Sequence, residues 1–314
     1  MTRAGCARRS AGAGRSCLLG WLIGLALFVS GGLSAAAAPD TPRVAAIDWG
    51  QVQTLIAIGA PPVAMAQVAS YGDWVGGPAV PDSVRELGLR VQPNMELLSQ
   101  LDLDVITITP MYENSRARLT QVAPVESIDV YYHEGSAWDN TVDSTRALAK
   151  LVHREAAAER FIESTRAEVE QLAQRVPADT QPLLVVQFID ARHVRVFGDD
   201  SLIGNVMSRM GIANAWQEET NFWGFALVPI ERLAAIENAR MAVVDPVPVG
   251  VPEEIAESVL WQHLPAVRDQ AVLDLPAVWS FGGLPSATRF ARGLADAYDR
   301  LASGAAGDKF GGQP

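Results

Sequence analysis

Cysteine is almost missing from this chain, and the places of its two copies remove even those from the chemistry. Cys6 and Cys17 both precede residue 39, in a segment that reads as a removed export signal, so the mature protein has no disulfide, thiol nucleophile or thiolate metal ligand. Histidine is scarce too: His133, His153, His193 and His263 stand far apart and share no ligand spacing. His133-Glu134 reads as a surface pair. Also absent are the nucleophile elbow G-x-S-x-G, the P-loop, H-E-x-x-H, and a G-x-G-x-x-G following a strand. An enzyme, a directly bound metal and a cofactor are therefore not expected.

Positive charge is in the minority. The chain has 25 Lys and Arg against 36 Asp and Glu, a net of −11. Four of the arginines, Arg3, Arg8, Arg9 and Arg15, fall in the first 38 residues, where no acid stands. Processing thus leaves 21 basic against 36 acidic side chains, a net of −15. Such a surface favours solubility and repels nucleic acid and anionic lipid heads, so no nucleic-acid partner is expected.

A long hydrophobic run is missing as well. The most apolar stretch, CLLGWLIGLALFV, falls short of the ~20 residues that a membrane span requires. Arginines precede it and small residues through SAAAA follow it, the order of an export signal cleaved near Ala38. The pair Arg8-Arg9 leaves twin-arginine export open beside the general secretory route, although Ser10 to Gly14 is not the apolar segment that signal prefers. Residues 1–38 are set aside as signal peptide, and the expected product is soluble and periplasmic.

The full chain has 314 residues with 49% hydrophobic content, enough for real cores. RVAAI (43–47), DVITITP (104–110) and LLVVQFID (183–190) read as strands, and QVQTLIAIG (51–59) as a short helix ending at glycine. This alternation predicts an α/β fold with largely parallel sheets. In the middle, Thr141 to Val152 has helical spacing. Glu155 to Val176 then carries Ala158, Phe161, Ile162, Thr165, Val169, Leu172, Ala173 and Val176 on one stripe, with no Gly or Pro until Pro177. A helix that long is about as wide as a small domain, and can bridge two lobes or pack on one sheet.

A weak repeat favours the bridge. Residues 43–67 and 193–217 share the order strand, turn, helix, glycine; 91–110 and 226–246 share a proline, a glutamate, a leucine and a strand. The repeat pairs Gly59 with Gly211 and Glu96 with Glu231. The predicted organisation is an N-terminal α/β lobe at 39–153, a linking helix at 154–177, a C-terminal α/β lobe at 178–303 and a flexible tail at 304–314.

Aromatics are the positive signal. Trp49, Trp74, Trp223 and Trp279 stand where strands or turns end, and loops beyond strand ends line the ligand crevice of open α/β sheets. An aromatic cleft is the joint explanation. At this point PDSVRELGLRVQPNMELL (81–98), VFGDDSLIGNVM (196–207), NAWQEETNFWG (214–224) and PAVWSFGG (276–283) closely resemble the ferric-hydroxamate-binding proteins of periplasmic iron-siderophore uptake. The resemblance runs from about Arg43 to about Leu301. It implies a class III periplasmic binding protein: two α/β lobes joined by one rigid helix, a monomer with its ligand in a shallow cleft. It also implies two partners besides the siderophore, an inner-membrane ABC permease and its ATPase. Carried over, Arg90 hydrogen-bonds the iron-hydroxamate oxygens and Tyr112 contacts the same centre. Trp74, Trp216, Trp223, Trp279 and Phe281 enclose the ligand, with Trp216 as a wall behind it. Glu96 and Glu231 dock the permease, one per lobe.

The chemistry agrees independently. A ferric trihydroxamate is neutral, oxygen-rich and flanked by aliphatic arms, so its site needs few charges, one or two strong donors and broad apolar surfaces. Iron enters only inside the chelate. Two departures from the family pattern stand out: Phe281 replaces a frequent tyrosine, and Arg195 stands where relatives place an apolar residue and is expected to face solvent. Other large chelates such as haem, cobalamin or citrate-type siderophores stay open. So does an exported hydrolase that would use Asp190 and Asp245.

Overall fold

The computed structural model describes residues 41–131, 134–178, 180–304 and 310. The predicted signal peptide, His133 and most of the tail lie outside these residues. Pro39–Pro314 groups as one unit, built on two five-stranded sheets.

The N-terminal sheet contains β1 (Val44–Ala46), β2 (Ala64–Met65), β3 (Arg85–Glu86), β6 (Val105–Ile108) and β7 (Val125–Ser127). Its order is β3-β2-β1-β6-β7 and every neighbouring pair is parallel. Between β3 and β6 a small hairpin of β4 (Gly88–Leu89) and β5 (Gln92–Pro93) stands apart from the sheet. The strands β1 and β6 are buried along their whole length, the pattern of a sheet covered on both faces.

The C-terminal sheet contains β8 (Leu183–Phe188), β9 (His193–Phe197), β10 (Phe225–Pro229), β11 (Arg240–Val244) and β12 (Val272–Leu275), in the order β10-β9-β8-β11-β12. Here β8, β11 and β12 run parallel, while β9 folds back antiparallel on β8 and β10 antiparallel on β9. The parallel expectation fails at this edge because residues 189–192 are too few for a crossover connection. Asp190 tightens that turn by accepting the backbone N–H groups of Arg192 at 2.7 Å and His193 at 2.8 Å. Its carboxylate therefore serves the turn.

The repeat is matched only in part. It set RVAAI against HVRVF, yet the strand in the central place of β1 is β8. Its helices correspond better: Trp49–Ala57 and Leu202–Arg209 each end before a glycine, Gly59 and Gly211, both at φ +75°.

Two consecutive helices, Ala137–Leu151 and Glu155–Ala173, connect the sheets. The first starts a turn earlier than its periodicity indicated because Ser136 caps it, accepting the N–H of Asp139 at 3.0 Å. The second stops short of Val176. Pro177 disfavours helical backbone at the residue before it, and the last turn tightens into bonds from Gln174, Arg175 and Val176 to carbonyls three residues back. Along this helix Ala158 enters the core of the N-terminal sheet, whereas Ile162, Val169 and Leu172 enter that of the C-terminal sheet. The terminal helix Leu284–Ala302 lies against it, tied by exposed ion pairs from Arg175 to Asp296 and Asp299 and from Arg292 to Glu168.

The lobes also meet directly. Buried Ser286 donates to Gln53 Oε1 at 2.9 Å, joining the terminal helix to Trp49–Ala57. At Gly50 the backbones approach so closely that a Cβ would lie 2.8 Å from the carbonyl oxygen of Phe281.

Candidate functional site

The carboxyl ends of the central strands of both sheets converge here. On the N-terminal side, β1 runs into Asp48, which caps the helix Trp49–Ala57 by accepting the N–H groups of Gly50 at 2.8 Å and Gln51 at 3.2 Å. The capping geometry buries Asp48 and turns Trp49 inward, where its indole N–H donates to the carbonyl of Ala66 at 2.9 Å. Burial drives the Asp48 carboxyl upward, against the pull of the Gln51 N–H, Arg90 and the Gly50 N–H, to a pKa of about 6.

Arg90 reaches the same place from the hairpin. The register Leu89↔Gln92 leaves Arg90 and Val91 as its two turn residues. Glu86 fastens the hairpin to the helix Val68–Val75 by accepting the N–H groups of Gln67 at 2.9 Å, Val68 at 2.7 Å and Gly88 at 2.6 Å. The Arg90 side chain donates through Nε to Gln67 Oε1 at 2.8 Å. Its guanidinium carbon stands 3.8 Å from the Trp49 ring centroid and 5.2 Å from that of Trp279, a cation–π arrangement that sets the plane of the donor fork. Tyr112, buried in the 3-10 turn Pro110–Ser115, lies near both Arg90 and Asp48; burial, with Asp48 nearby, holds its phenol protonated well above the usual tyrosine range.

The C-terminal lobe provides an aromatic wall. Between β12 and the terminal helix, Trp279 packs 4.9 Å from Trp49 and 6.5 Å from Trp74, and Phe281 lies 5.3 Å from Trp279. Phe281 in turn meets Trp223 at 5.8 Å, and Trp223 stacks on Phe225 at 5.9 Å. The NFWGF loop presents Trp223 by a turn in which Asn221 Oδ1 accepts the Trp223 N–H at 3.0 Å. Gly224 is required there, since φ is +77° and a Cβ would collide with the backbone nitrogen of Ser201. A cavity between the sheets is lined from one side by Asp48, Gln51 and Tyr131 and from the other by Trp223 and Phe281. Tyr131 spans it, donating toward the carbonyls of Ser280 at 3.2 Å and Gly282 at 3.3 Å.

Of the residues singled out from the sequence, Arg90, Tyr112, Trp74, Trp223, Trp279 and Phe281 are brought together. Trp216 is not: it is buried in the C-terminal core among Leu184, Val194 and Met241. Arg195 corrects its expectation, because it is half-buried against the wall rather than directed to solvent. Its guanidinium carbon stands 5.2 Å from the Phe225 centroid and 5.6 Å from that of Phe281. Glu96 and Glu231 are both exposed, each in the first turn of a short helix, one per lobe. Sequence reasoning passed over Asp48, Gln67, Tyr131 and Gln187. An acid between a strand and a helix and a lone amide inside LLVVQF were usable signals for the first and last. Among the described residues no cluster of three or more His, Cys, Asp or Glu suits a metal ion, and no helix is long and apolar enough to cross a membrane.

Comparison with known proteins follows the same lines. Residues 44–278 match the family described as periplasmic binding protein. The iron(3+)-hydroxamate-binding protein FhuD of Escherichia coli is 34% identical over 264 residues, 83% of this chain and 88% of that protein. The ferric-anguibactin-binding protein FatB of Vibrio anguillarum is 25% identical over 178 residues, 56% of this chain and 55% of that one. Among solved structures, the Fe3+-Desferal-bound siderophore-binding protein FhuD from Vibrio cholerae aligns with a TM-score of 0.78 at 24% identity, covering 82% of this chain and 98% of its own. These relatives are binding proteins and not enzymes.

Proposed function

The chain belongs to the periplasmic binding protein family and has its class III two-lobed fold, and from that premise we propose that it captures a ferric hydroxamate siderophore between its lobes in the periplasm. The observation that carries the reading is the Arg90 fork, stacked 3.8 Å over Trp49 and held by Gln67, with buried Tyr112 beside it at the edge of an aromatic wall. Two hydrogen-bond donors in fixed positions suit the oxygen shell of an iron hydroxamate. Trp74, Trp223, Trp279 and Phe281 supply apolar area for its aliphatic arms at low entropic cost. The 34% identity to a hydroxamate-binding relative over most of both chains supports the same class. Capture is followed by delivery to an inner-membrane ABC permease and its ATPase. Glu96 and Glu231, exposed on separate lobes of one body, set the orientation of docking through complementary charge.

Native mass spectrometry of the mature protein with a panel of ferric hydroxamates, ferric catecholates, haem and cobalamin tests this reading. The expected result is a one-to-one complex with hydroxamates. Binding confined to any other class overturns it.

A further inference from the structure

The two lobes present one arginine each, and only one of them has a counter-charge. Arg90 is held by the amide of Gln67, lies over Trp49 and feels the Asp48 carboxylate. Arg195 repeats the arrangement on the other side: it donates through Nη1 to the amide oxygen of Gln187 at 3.2 Å and lies over Phe225 and Phe281. Yet among the described residues no carboxylate stands within ion-pair distance of Arg195, and burial is what acts on it, pushing its pKa down.

The strand pattern explains why this side chain cannot turn away. Val194 and Val196 enter one core of the C-terminal sheet, so Arg195 shares the opposite face with Phe197. The register places it between Gln187 on β8 and Leu227 on β10. Gln187 is already engaged, its oxygen accepting from Ser280 Oγ at 3.3 Å and its nitrogen donating to the carbonyl of Asp245 at 3.4 Å. It therefore holds the guanidinium in place and leaves the remaining N–H groups of Arg195 directed elsewhere. A half-desolvated cation without an anion carries a penalty that an apolar residue on this strand would avoid. A ligand that brings the anion removes it.

We propose that Arg195 is a ligand-contacting residue that reads charge: it takes a carboxylate carried on the ferric hydroxamate, so that this protein prefers net-anionic chelates over neutral and cationic ones. The inference rests on the hydroxamate reading above and narrows it. Arg90 and Tyr112 meet the iron-bound oxygens, which every hydroxamate offers alike. Arg195 stands beside Phe281, 5.6 Å from its ring centroid, so its part in binding is to the chelate's arms, in which hydroxamates differ.

A charge series on a single chelator tests it. The ferric complexes of desferrioxamine B with its terminal amine free, acetylated or succinylated share one iron centre and are cationic, neutral and anionic. Tryptophan quenching of the natural protein is expected to rank the succinylated complex tightest and the free amine weakest. Arg195→Gln is expected to weaken the succinylated complex on the order of tenfold and to leave the acetylated one within about twofold. Arg195→Lys, which keeps stem and charge, retains the ranking over a narrower span. Equal affinities of the natural protein for the acetylated and succinylated complexes overturn the proposal. So does an Arg195→Gln loss that is the same for all three. If none of the three binds, the hydroxamate reading itself fails and takes this inference with it.

Discussion

Replacing Asp48 by Asn should make the ligand-free protein more stable, and only above a definite pH. Asp48 is 7% exposed, and its carboxyl titrates at about 6 in the folded protein instead of the ordinary 3.8 because burial outweighs the backbone N–H bonds and Arg90. Between those two values the folded chain holds a proton that the unfolded chain has released. The folded state thus binds more protons, and unfolding free energy must fall as pH rises through the window. The rise from 3.8 to about 6, at ~1.4 kcal/mol for each tenfold change in proton affinity, puts the total near 3 kcal/mol, reached above about pH 6 and absent below about pH 4. Asn keeps an oxygen that caps Gly50 and Gln51 and cannot titrate. The assay is urea unfolding of both proteins across the range from about pH 4 to about pH 7. The difference between them should open in favour of Asp48→Asn as pH rises. A flat difference, or one of opposite sign, would refute the account of Asp48 as a desolvated acid.

Other consequences are simpler to state. Arg90→Ala removes a charged donor and should weaken ferric hydroxamate binding by about ten- to hundredfold in a quenching titration. Tyr112→Phe deletes one hydroxyl in a buried place and should cost about 1 kcal/mol of binding, with an unchanged circular dichroism spectrum. Small-angle scattering should give nearly the same radius of gyration with and without ligand. A bridging helix rooted in both cores and the buried Ser286–Gln53 bond offer no hinge, and a marked contraction contradicts this. In the double variant Glu96→Ala, Glu231→Ala, siderophore binding should persist while uptake and ligand-stimulated ATP hydrolysis fall; normal uptake leaves both glutamates as helix starts only.

The parts of the fold legible in the sequence were those decided by neighbours along the chain. VITI and LLVVQF announced buried strands by composition, and the stripe Ala158, Ile162, Val169, Leu172 announced a helix with one long apolar face. That this face is divided between two cores was not written in its periodicity, because Ala158 and Ile162 look alike to a pattern and differ only in which sheet they meet. The antiparallel edge of the C-terminal sheet was within reach: four residues between LLVVQF and HVRVF forbid a crossover, a constraint of chain length that outranks the parallel expectation drawn from alternating elements.

The site divides along the same line. Arg90, Tyr112 and the tryptophans stood out through loop position and resemblance, whereas the electrostatic balance among them depends on contacts that no local pattern encodes. Arg90 meets Asp48, Gln67 and Trp49 only because a two-residue hairpin turn and a helix cap aim at one point. Arg195 was misjudged for a related reason. A charged residue on an edge-side strand is normally solvated, and its alternation with Val194 and Val196 invites that reading. What reverses it is the segment Trp279–Phe281, which comes from beyond β12 and lays Phe281 beside the guanidinium. The same backbone is gripped by Tyr131 through the carbonyls of Ser280 and Gly282. A few residues arriving late in the chain thus convert a surface arginine into part of the wall, and the chemistry of the site is a property of where the two lobes meet.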